Sequence, residues 1–151
     1  MTEFPPIEAL IVHRSGMLLI DRIIGREDEV VTSEVVIRSD QLFFQPGRGV
    51  PAYVGFELMA QTISASDGLE RRDEGLPPVV GLLLGCRKYA VSRTFFTEGE
   101  RLVTEVTPLI SDEGMTAFRC RIMDDAGDEL ASATINAYRP DDLSAFLRSQ
   151  Q

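Results

Sequence analysis

Two segments near the start of the chain partly alternate apolar with polar residues and are rich in valine and isoleucine. They are GMLLIDRIIG and EVVTSEVVI, and the charged segment REDE lies between the two apolar runs. Alternation with many β-branched side chains is typical of half-buried strands, and a short polar connection is typical of a turn. The pattern therefore predicts two strands joined by a polar turn.

The next part of the chain predicts a loop and then a long helix. The segment SDQLFFQPGRGVP contains two glycines and two prolines, which interrupt regular structure. A helical pattern runs from about Ala52 to Arg72, and Pro51 suits its first turn because a helix leaves that N–H unpaired. Gly68 or Gly75 is expected to help end it. Apolar residues cover nearly the whole helix surface, so we predict that the helix is buried.

Four more apolar segments follow the helix and predict strands. They are PVVGLLLGCRKYAV, RLVTEVTPLI, TAFRCRIMDD and ELASATINAYRP. The glycines in SDEG and DDAGDE supply the positive φ angles that tight connections need, and Pro108 weakens one strand or marks a bulge. A short helix, DDLSAFLRSQ, is expected to close the chain.

This succession of elements predicts an α+β architecture. Two strands, one long apolar helix and four antiparallel strands are expected to form a curved antiparallel sheet wrapped around the helix, which is the hot-dog fold. The 151 residues, with 44% hydrophobic and 26% charged content, suffice for one compact core. We therefore expect residues 1–151 to form a single hot-dog domain.

The N-terminal residues and the distribution of apolar residues bear on location. The segment MTEFPPIEAL carries acids where a secretory signal has basic residues. No run reaches the roughly 18 apolar residues needed to cross a bilayer. We expect a cytoplasmic protein that does not associate with a membrane.

Charge and composition exclude several classes of partner and cofactor. The net charge of −9 argues against a nucleic-acid partner, which normally requires a clustered basic face. One histidine and two distant cysteines do not form a zinc site or a disulfide framework, so we expect reduced thiols and neither a metal nor another cofactor. The segment CRKYAVSR is a small positive island, which charge patterning alone also explains as a solvated strand face.

A narrow polar stripe interrupts the apolar surface of the predicted helix. Glu57, Gln61 and Ser64 follow one another at spacings of four and three residues, which places them on one face. From the residues alone, Glu57 is either a structural, hydrogen-bonded carboxylate near the helix start or a functional acid. The spacing does not decide between these interpretations.

Three segments resemble the β-hydroxyacyl-acyl-carrier-protein dehydratases and occur in the same order over most of the chain. They are VHRSGMLLIDRI, PAYVGFELMAQ and EGERLVTEVTPLI followed by GMTAFRCRIMDDAGDELASATI. The loop before the helix is short, and with GMLLIDR and VPAYVGFELMAQ it most resembles the dehydratase branch found with aryl polyene synthesis. The resemblance implies dehydration of carrier-bound 3-hydroxyacyl thioesters to trans-2-enoyl thioesters in fatty acid, polyketide or aryl polyene biosynthesis.

The resemblance also implies roles for residues at the helix start. Pro51 and Glu57 keep the family's six-residue interval, so Glu57 corresponds to the catalytic carboxylate that protonates the departing hydroxyl. Ala52 stands where the family has a glycine. Its backbone N–H corresponds to the one that donates a hydrogen bond to the thioester oxygen, which makes it the expected oxyanion donor. Gln61 and Tyr53 are expected to support binding of the substrate or the oxyanion.

The loop FFQPGRGVP lacks the histidine that typical members of the family use as the base. Arg48 lies in this loop, but a guanidinium is effectively always protonated and is a poor base. The only histidine, His13, lies in a segment that lines the family's substrate tunnel. A lone histidine before an apolar strand is often structural, but for this branch we predict that His13 replaces the missing base.

Two other functions and two kinds of contact complete the expectations. The chain could instead be an acyl thioesterase in which Glu57 activates water, or a non-catalytic acyl-binding or dimer-partner subunit. Unpaired strand edges and an incomplete tunnel wall predict a homodimer or a larger assembly. We expect the acidic acyl carrier protein to contact a local basic edge formed by Arg87, Lys88 and Arg93.

Overall fold

The structure is a computed structural model that describes residues 3–11, 17–78, 83–112 and 114–138. Within these ranges, the side chains of residues 83, 84, 86 and 87 are not described. The predicted C-terminal helix and His13 lie outside the described residues. The prediction that residues 1–151 form a single domain therefore stays a prediction.

A six-stranded antiparallel sheet and one long helix, α1 (Gly55–Asp73), dominate the fold. The strands are β1 (Arg22–Glu27), β2 (Val30–Val36), β3 (Val50–Pro51), β4 (Leu83–Val91), β5 (Phe95–Phe96), β6 (Arg101–Asp112), β7 (Met115–Met123) and β8 (Glu129–Tyr138). The large sheet has the order β1-β2-β6-β7-β8-β4, and β3 pairs with β5 separately. The predicted helix, the six predicted strands and the hot-dog fold are confirmed.

The turns and one irregular strand agree with the sequence pattern. Asp28 and Glu29 have φ angles of 49° and 72° in the tight turn between β1 and β2, although neither residue is a glycine. Gly114 and Gly127 have φ angles of 82° and 85° in the next two hairpins. The pairing of β6 with β7 shifts register just after Pro108, which confirms the predicted bulge there.

The helix packs its apolar surface against one face of the large sheet. Leu58, Met59 and Ile63 are buried in one hydrophobic cluster with side chains from the strands. Gly75, with a φ of 73°, follows the helix end as predicted. Gly68 instead lies inside the helix, where a β-carbon would collide with the backbone of Leu10. None of the described helices is long and apolar enough to cross a membrane.

Strand β4 forms one edge of the large sheet. It pairs with β8 along one side, and no described strand pairs with its other side. A nine-residue edge of unpaired N–H and C=O groups is a site where another strand can add. Near its middle, the pairing shifts register between Cys86 and Lys88. The side chain of Tyr89, which follows this shift, packs against the hydrophobic core.

Candidate active site

The start of α1 is fastened to the connection between β4 and β6. Strand β3 immediately precedes the helix and pairs with β5. Gly49 lies so close to the backbone of Phe96 that a β-carbon would collide with it. A single turn of 3₁₀ helix, Ala52–Val54, then leads into α1. These contacts fix the position of the helix N-terminus, where backbone N–H groups and the helix dipole favour negative charge.

Glu57 and Gln61 lie one turn apart at this end of α1. Glu57 is half-buried, whereas Gln61 is fully buried and accepts hydrogen bonds from the backbone N–H groups of Leu19 (2.8 Å) and Ile20 (3.4 Å). The Gln61 amide nitrogen donates to the carbonyl oxygen of Met17 (2.7 Å) and to Oε1 of Glu57 (3.3 Å). Four hydrogen bonds use the whole capacity of this amide.

The four partners fix which way the Gln61 amide points. Its oxygen faces two backbone donors and its nitrogen faces a backbone acceptor, so the reversed orientation would lose three bonds. The nitrogen must therefore present an N–H to Oε1 of Glu57, and this oxygen serves as an acceptor. The sequence predicted Gln61 as a neighbour of Glu57 but gave no sign that the same amide binds residues 17–20.

The expected oxyanion donor, the N–H of Ala52, already has an acceptor in this structure. It donates a 2.8 Å hydrogen bond to the carbonyl oxygen of Thr94. An engaged N–H must give up its acceptor before it can bind another oxygen, so this geometry does not support the role expected for Ala52. The side chain of Tyr53 is 68% exposed, and its backbone N–H belongs to the first helical turn.

Tyr89 also contacts this turn, which the sequence did not predict. Its hydroxyl donates a 2.6 Å hydrogen bond to the carbonyl oxygen of Ala52. Gly55 makes room for this contact, because a β-carbon there would collide with the Tyr89 hydroxyl. Burial raises the pKa of Tyr89 to about 12. The hydroxyl therefore keeps its proton at neutral pH and remains a donor.

The three residues of the expected carrier-facing edge have different surroundings. Lys88 is exposed opposite Thr134, and Arg119 of β7 is exposed on the other side of the same threonine. Arg93 instead forms an ion pair with Glu100, with N–O distances of 2.7 and 2.6 Å. Arg93 is thus held within its own chain, while the side chain of Arg87 lies outside the described set.

The other residues considered for chemistry can be placed in part. His13 is four residues before Met17, whose carbonyl oxygen accepts from Gln61, but it lies outside the described residues. Cys120 is buried in the core, and its thiol donates to the carbonyl oxygen of Phe118. Among the described residues, no group of three histidine, cysteine or acidic side chains could hold a metal ion. Arg48 is exposed, with its guanidinium 5.9 Å from the centre of the Phe95 ring.

Residues 5–148 match the ApeP-like family, which is described as ApeP dehydratase. This match covers nearly the whole chain. No curated protein sequence matches the chain significantly.

Several solved structures share the fold. One is the dehydratase heterocomplex ApeI:P from Xenorhabdus doucetiae, with a TM-score of 0.84, 24% identity, and coverage of 96% of this chain and 99% of the other. Another is the E. coli PaaI protein from the phenylacetic acid degradation operon, with a TM-score of 0.60, 12% identity, and coverage of 78% and 81%. A hypothetical thioesterase from Streptococcus pneumoniae, solved with coenzyme A, has a TM-score of 0.55, 13% identity, and coverage of 78% and 83%. At these identities the likenesses show a common fold.

Proposed function

The chain belongs to the ApeP-like dehydratase family, and from this premise we propose that it dehydrates 3-hydroxyacyl thioesters carried on an acyl carrier protein. The family assignment favours aryl polyene biosynthesis over fatty acid or polyketide biosynthesis. One structural observation supports this proposal most strongly. Gln61 donates a hydrogen bond to the carboxylate of Glu57 and so orients it at the N-terminus of α1. The product is a trans-2-enoyl thioester.

The proposed reaction needs two proton transfers and a site for negative charge. A base removes the proton from the α-carbon, and negative charge develops on the thioester oxygen. The bond between the β-carbon and its hydroxyl then breaks, an acid supplies a proton, and water leaves as the α–β double bond forms. Hydroxide is a poor leaving group, so the acid is required.

Glu57 is the proposed acid, and its contact with Gln61 determines which of its two carboxyl oxygens carries the proton. Because Oε1 accepts an N–H from Gln61, the proton that Glu57 transfers resides on Oε2. In this scheme Gln61 is a positioning residue, because it acts on the substrate through Glu57.

His13 is the proposed base that removes the α-proton. The chain path supports this role, because His13 lies only four positions before Met17, whose carbonyl oxygen accepts a hydrogen bond from Gln61. Four residues span at most about 14 Å between α-carbons. Gln61 therefore holds Met17, at the end of this short span, as well as Oε1 of Glu57.

The first helical turn is the proposed site for the negative charge on the thioester oxygen. Because Ala52 N–H binds Thr94, we assign the oxyanion role to the next amide, that of Tyr53. First-turn amides have no acceptor within their own helix, and donors placed where charge develops stabilise the transition state. The Tyr53 side chain, which is exposed, is free to line the substrate entrance.

A direct product analysis distinguishes this function from thioester hydrolysis. A carrier-bound 3-hydroxyacyl substrate would be incubated with the protein, and the carrier would be weighed by intact-protein mass spectrometry. Dehydration leaves the acyl group attached and lighter by one water, whereas a thioesterase releases the carrier with a free thiol. The structural likeness to thioesterases reflects the fold alone and gives no preference for hydrolysis.

The proposed assembly uses the edge of β4 that no described strand covers, and we expect at least a dimer. The unpaired edge supports addition of another strand, and the similar ApeI:P structure is a heterocomplex. Light scattering of the purified chain at micromolar concentration should give at least twice the mass of one chain. A stable monomer that becomes a dimer only with a second hot-dog chain would favour the dimer-partner interpretation over a homodimer. A cytoplasmic location stays a prediction.

Carrier binding is proposed for the outer face near Lys88. Opposite charges separated by less than the Debye length of about 8 Å attract at physiological salt even though both proteins are acidic. The variant with Arg87→Glu and Lys88→Glu should raise KM for a carrier-bound substrate several-fold and leave a pantetheine-bound analogue nearly unaffected. Arg72→Glu, at an exposed position in the last turn of α1, also replaces a positive charge by a negative one and serves as the control. Equal losses on both substrates would indicate damage to the fold instead.

A further inference from the structure

The contact between Tyr89 and Ala52 joins the edge strand β4 to the first turn of the helix. The Tyr89 hydroxyl donates to the Ala52 carbonyl oxygen at 2.6 Å, and the same oxygen accepts the N–H of Gly55. Because burial keeps the Tyr89 hydroxyl protonated, this contact does not change over the neutral pH range.

The Ala52 carbonyl and the Tyr53 N–H belong to one peptide unit. No cis peptide occurs in the described chain, and a trans peptide is planar with its C=O and N–H pointing in opposite directions. A hydrogen bond that fixes the C=O therefore fixes the direction of the N–H as well. A donor at the C=O also polarises the peptide and makes its N–H a stronger donor.

The surrounding contacts hold this peptide unit in place. On one side, the Ala52 N–H is bound to Thr94. On the other side, the Tyr89 hydroxyl occupies the space that a side chain at Gly55 would fill. The Tyr53 N–H points away from Tyr89, because the C=O of its peptide points toward the hydroxyl.

We propose that Tyr89 is a positioning residue that orients the Ala52–Tyr53 peptide so that the Tyr53 N–H binds the thioester oxygen. This inference rests on the proposed dehydration and deepens it. When the α-proton leaves, its electron pair moves toward the thioester oxygen, and the Tyr53 N–H stabilises the resulting charge. Tyr89 does not touch the substrate and acts through the peptide.

Backbone NMR tests the structural part of this proposal without reference to activity. The chain has three tyrosines, so protein labelled with ¹⁵N only at tyrosine gives three backbone amide signals. Tyr89→Phe and Tyr138→Phe each remove one signal, which identifies the third as Tyr53. We expect Tyr89→Phe to move the Tyr53 amide proton upfield and Tyr138→Phe, on β8, to leave it in place. Equal shifts in the two variants would overturn the proposal.

Kinetics of the assembled enzyme test the catalytic part. Tyr89→Phe should lower kcat about tenfold, because a tenfold change in rate corresponds to the free energy that one hydrogen bond typically contributes. KM should change less than twofold. If Tyr89 only stabilised the fold, Tyr89→Phe would lower the melting temperature, and kcat would not fall selectively while KM stayed the same. An unchanged kcat, or a raised KM alone, would contradict the proposal.

A second variant keeps the test decisive if Tyr89→Phe folds poorly. Gly55→Ala retains the tyrosine but places a methyl group where its hydroxyl lies. It should lower kcat to a similar degree and move the Tyr53 amide signal. The double variant, Gly55→Ala with Tyr89→Phe, should have the same kcat as Gly55→Ala alone, because both changes break the same contact. A strictly additive loss in kcat would show that the two residues act independently and would contradict the proposal. If the wild-type enzyme did not dehydrate the substrate, the NMR result would still decide whether Tyr89 orients the peptide.

Discussion

Glu57→Gln should lower the turnover number by at least about 10²-fold, the lower end of a general acid contribution. Glutamine has nearly the shape of glutamate and can still accept the N–H of Gln61, but it has no proton to give to the leaving hydroxyl. KM should change little, since the variant keeps the contacts that position the substrate. The measurement is steady-state dehydration of a carrier-bound 3-hydroxyacyl substrate, with product formation followed directly.

Glu74→Gln is the matched control, because it makes the same substitution at an exposed position just after the end of α1. This control should retain wild-type turnover, and both variants should keep the wild-type melting temperature within a few degrees. Normal dehydration by Glu57→Gln would exclude a catalytic role for this carboxylate. A large loss accompanied by a collapse of the melting temperature would instead show that the residue is structural.

His13→Ala is expected to have an effect of similar size. The substitution removes the proposed base, so turnover should fall by at least about 10²-fold while the fold is retained. If Glu57 and His13 act in one proton-transfer sequence, the double variant should be scarcely slower than either single variant, because effects of residues that act as a unit are not additive.

Near-normal dehydration by His13→Ala would contradict the assignment of the base. Because the Gln61 amide has no hydrogen-bonding capacity left, a water molecule held by Glu57 alone would then be the next base to test. The pH dependence of kcat/KM separates these cases, because the part of the pH–rate profile that is due to ionisation of the base should disappear in His13→Ala if His13 is that base. If the pH–rate profile of His13→Ala kept the same shape as that of the wild type, another group would be the base.

Much of the fold was predictable because its elements have strong local signals. The helical pattern, the glycine turns and the alternating strands each depend on neighbouring residues. The helix start was predicted less well, because Pro51 belongs to β3 and α1 begins only at Gly55, after a 3₁₀ turn. Strands β3 and β5 could not be predicted, since two residues show no periodicity and their pairing is a long-range contact. This missed pairing is also why the sequence could not show that Thr94 occupies the Ala52 N–H.

The site was predicted less completely than the fold, for related reasons. Alternation places Lys88 and Tyr89 on opposite faces of β4, but the register shift before Lys88 decides which face is inward. Charge patterning marked Arg93 as part of a basic edge, but it cannot reveal a partner such as Glu100 that the folded loop brings into contact. The resemblance identified Glu57 and Gln61, and only the structure shows how Gln61 orients the pair.

The most direct test of the central claim is the mass of a carrier-bound 3-hydroxyacyl group after incubation with wild-type protein, Glu57→Gln and Glu74→Gln side by side. The incubations would be run with the purified chain in its native assembly. We predict that wild type and Glu74→Gln remove one water from the bound acyl group, and that Glu57→Gln leaves the substrate essentially unchanged. Release of the free-thiol carrier by the wild type, or loss of water with Glu57→Gln at the wild-type rate, would contradict dehydration by Glu57.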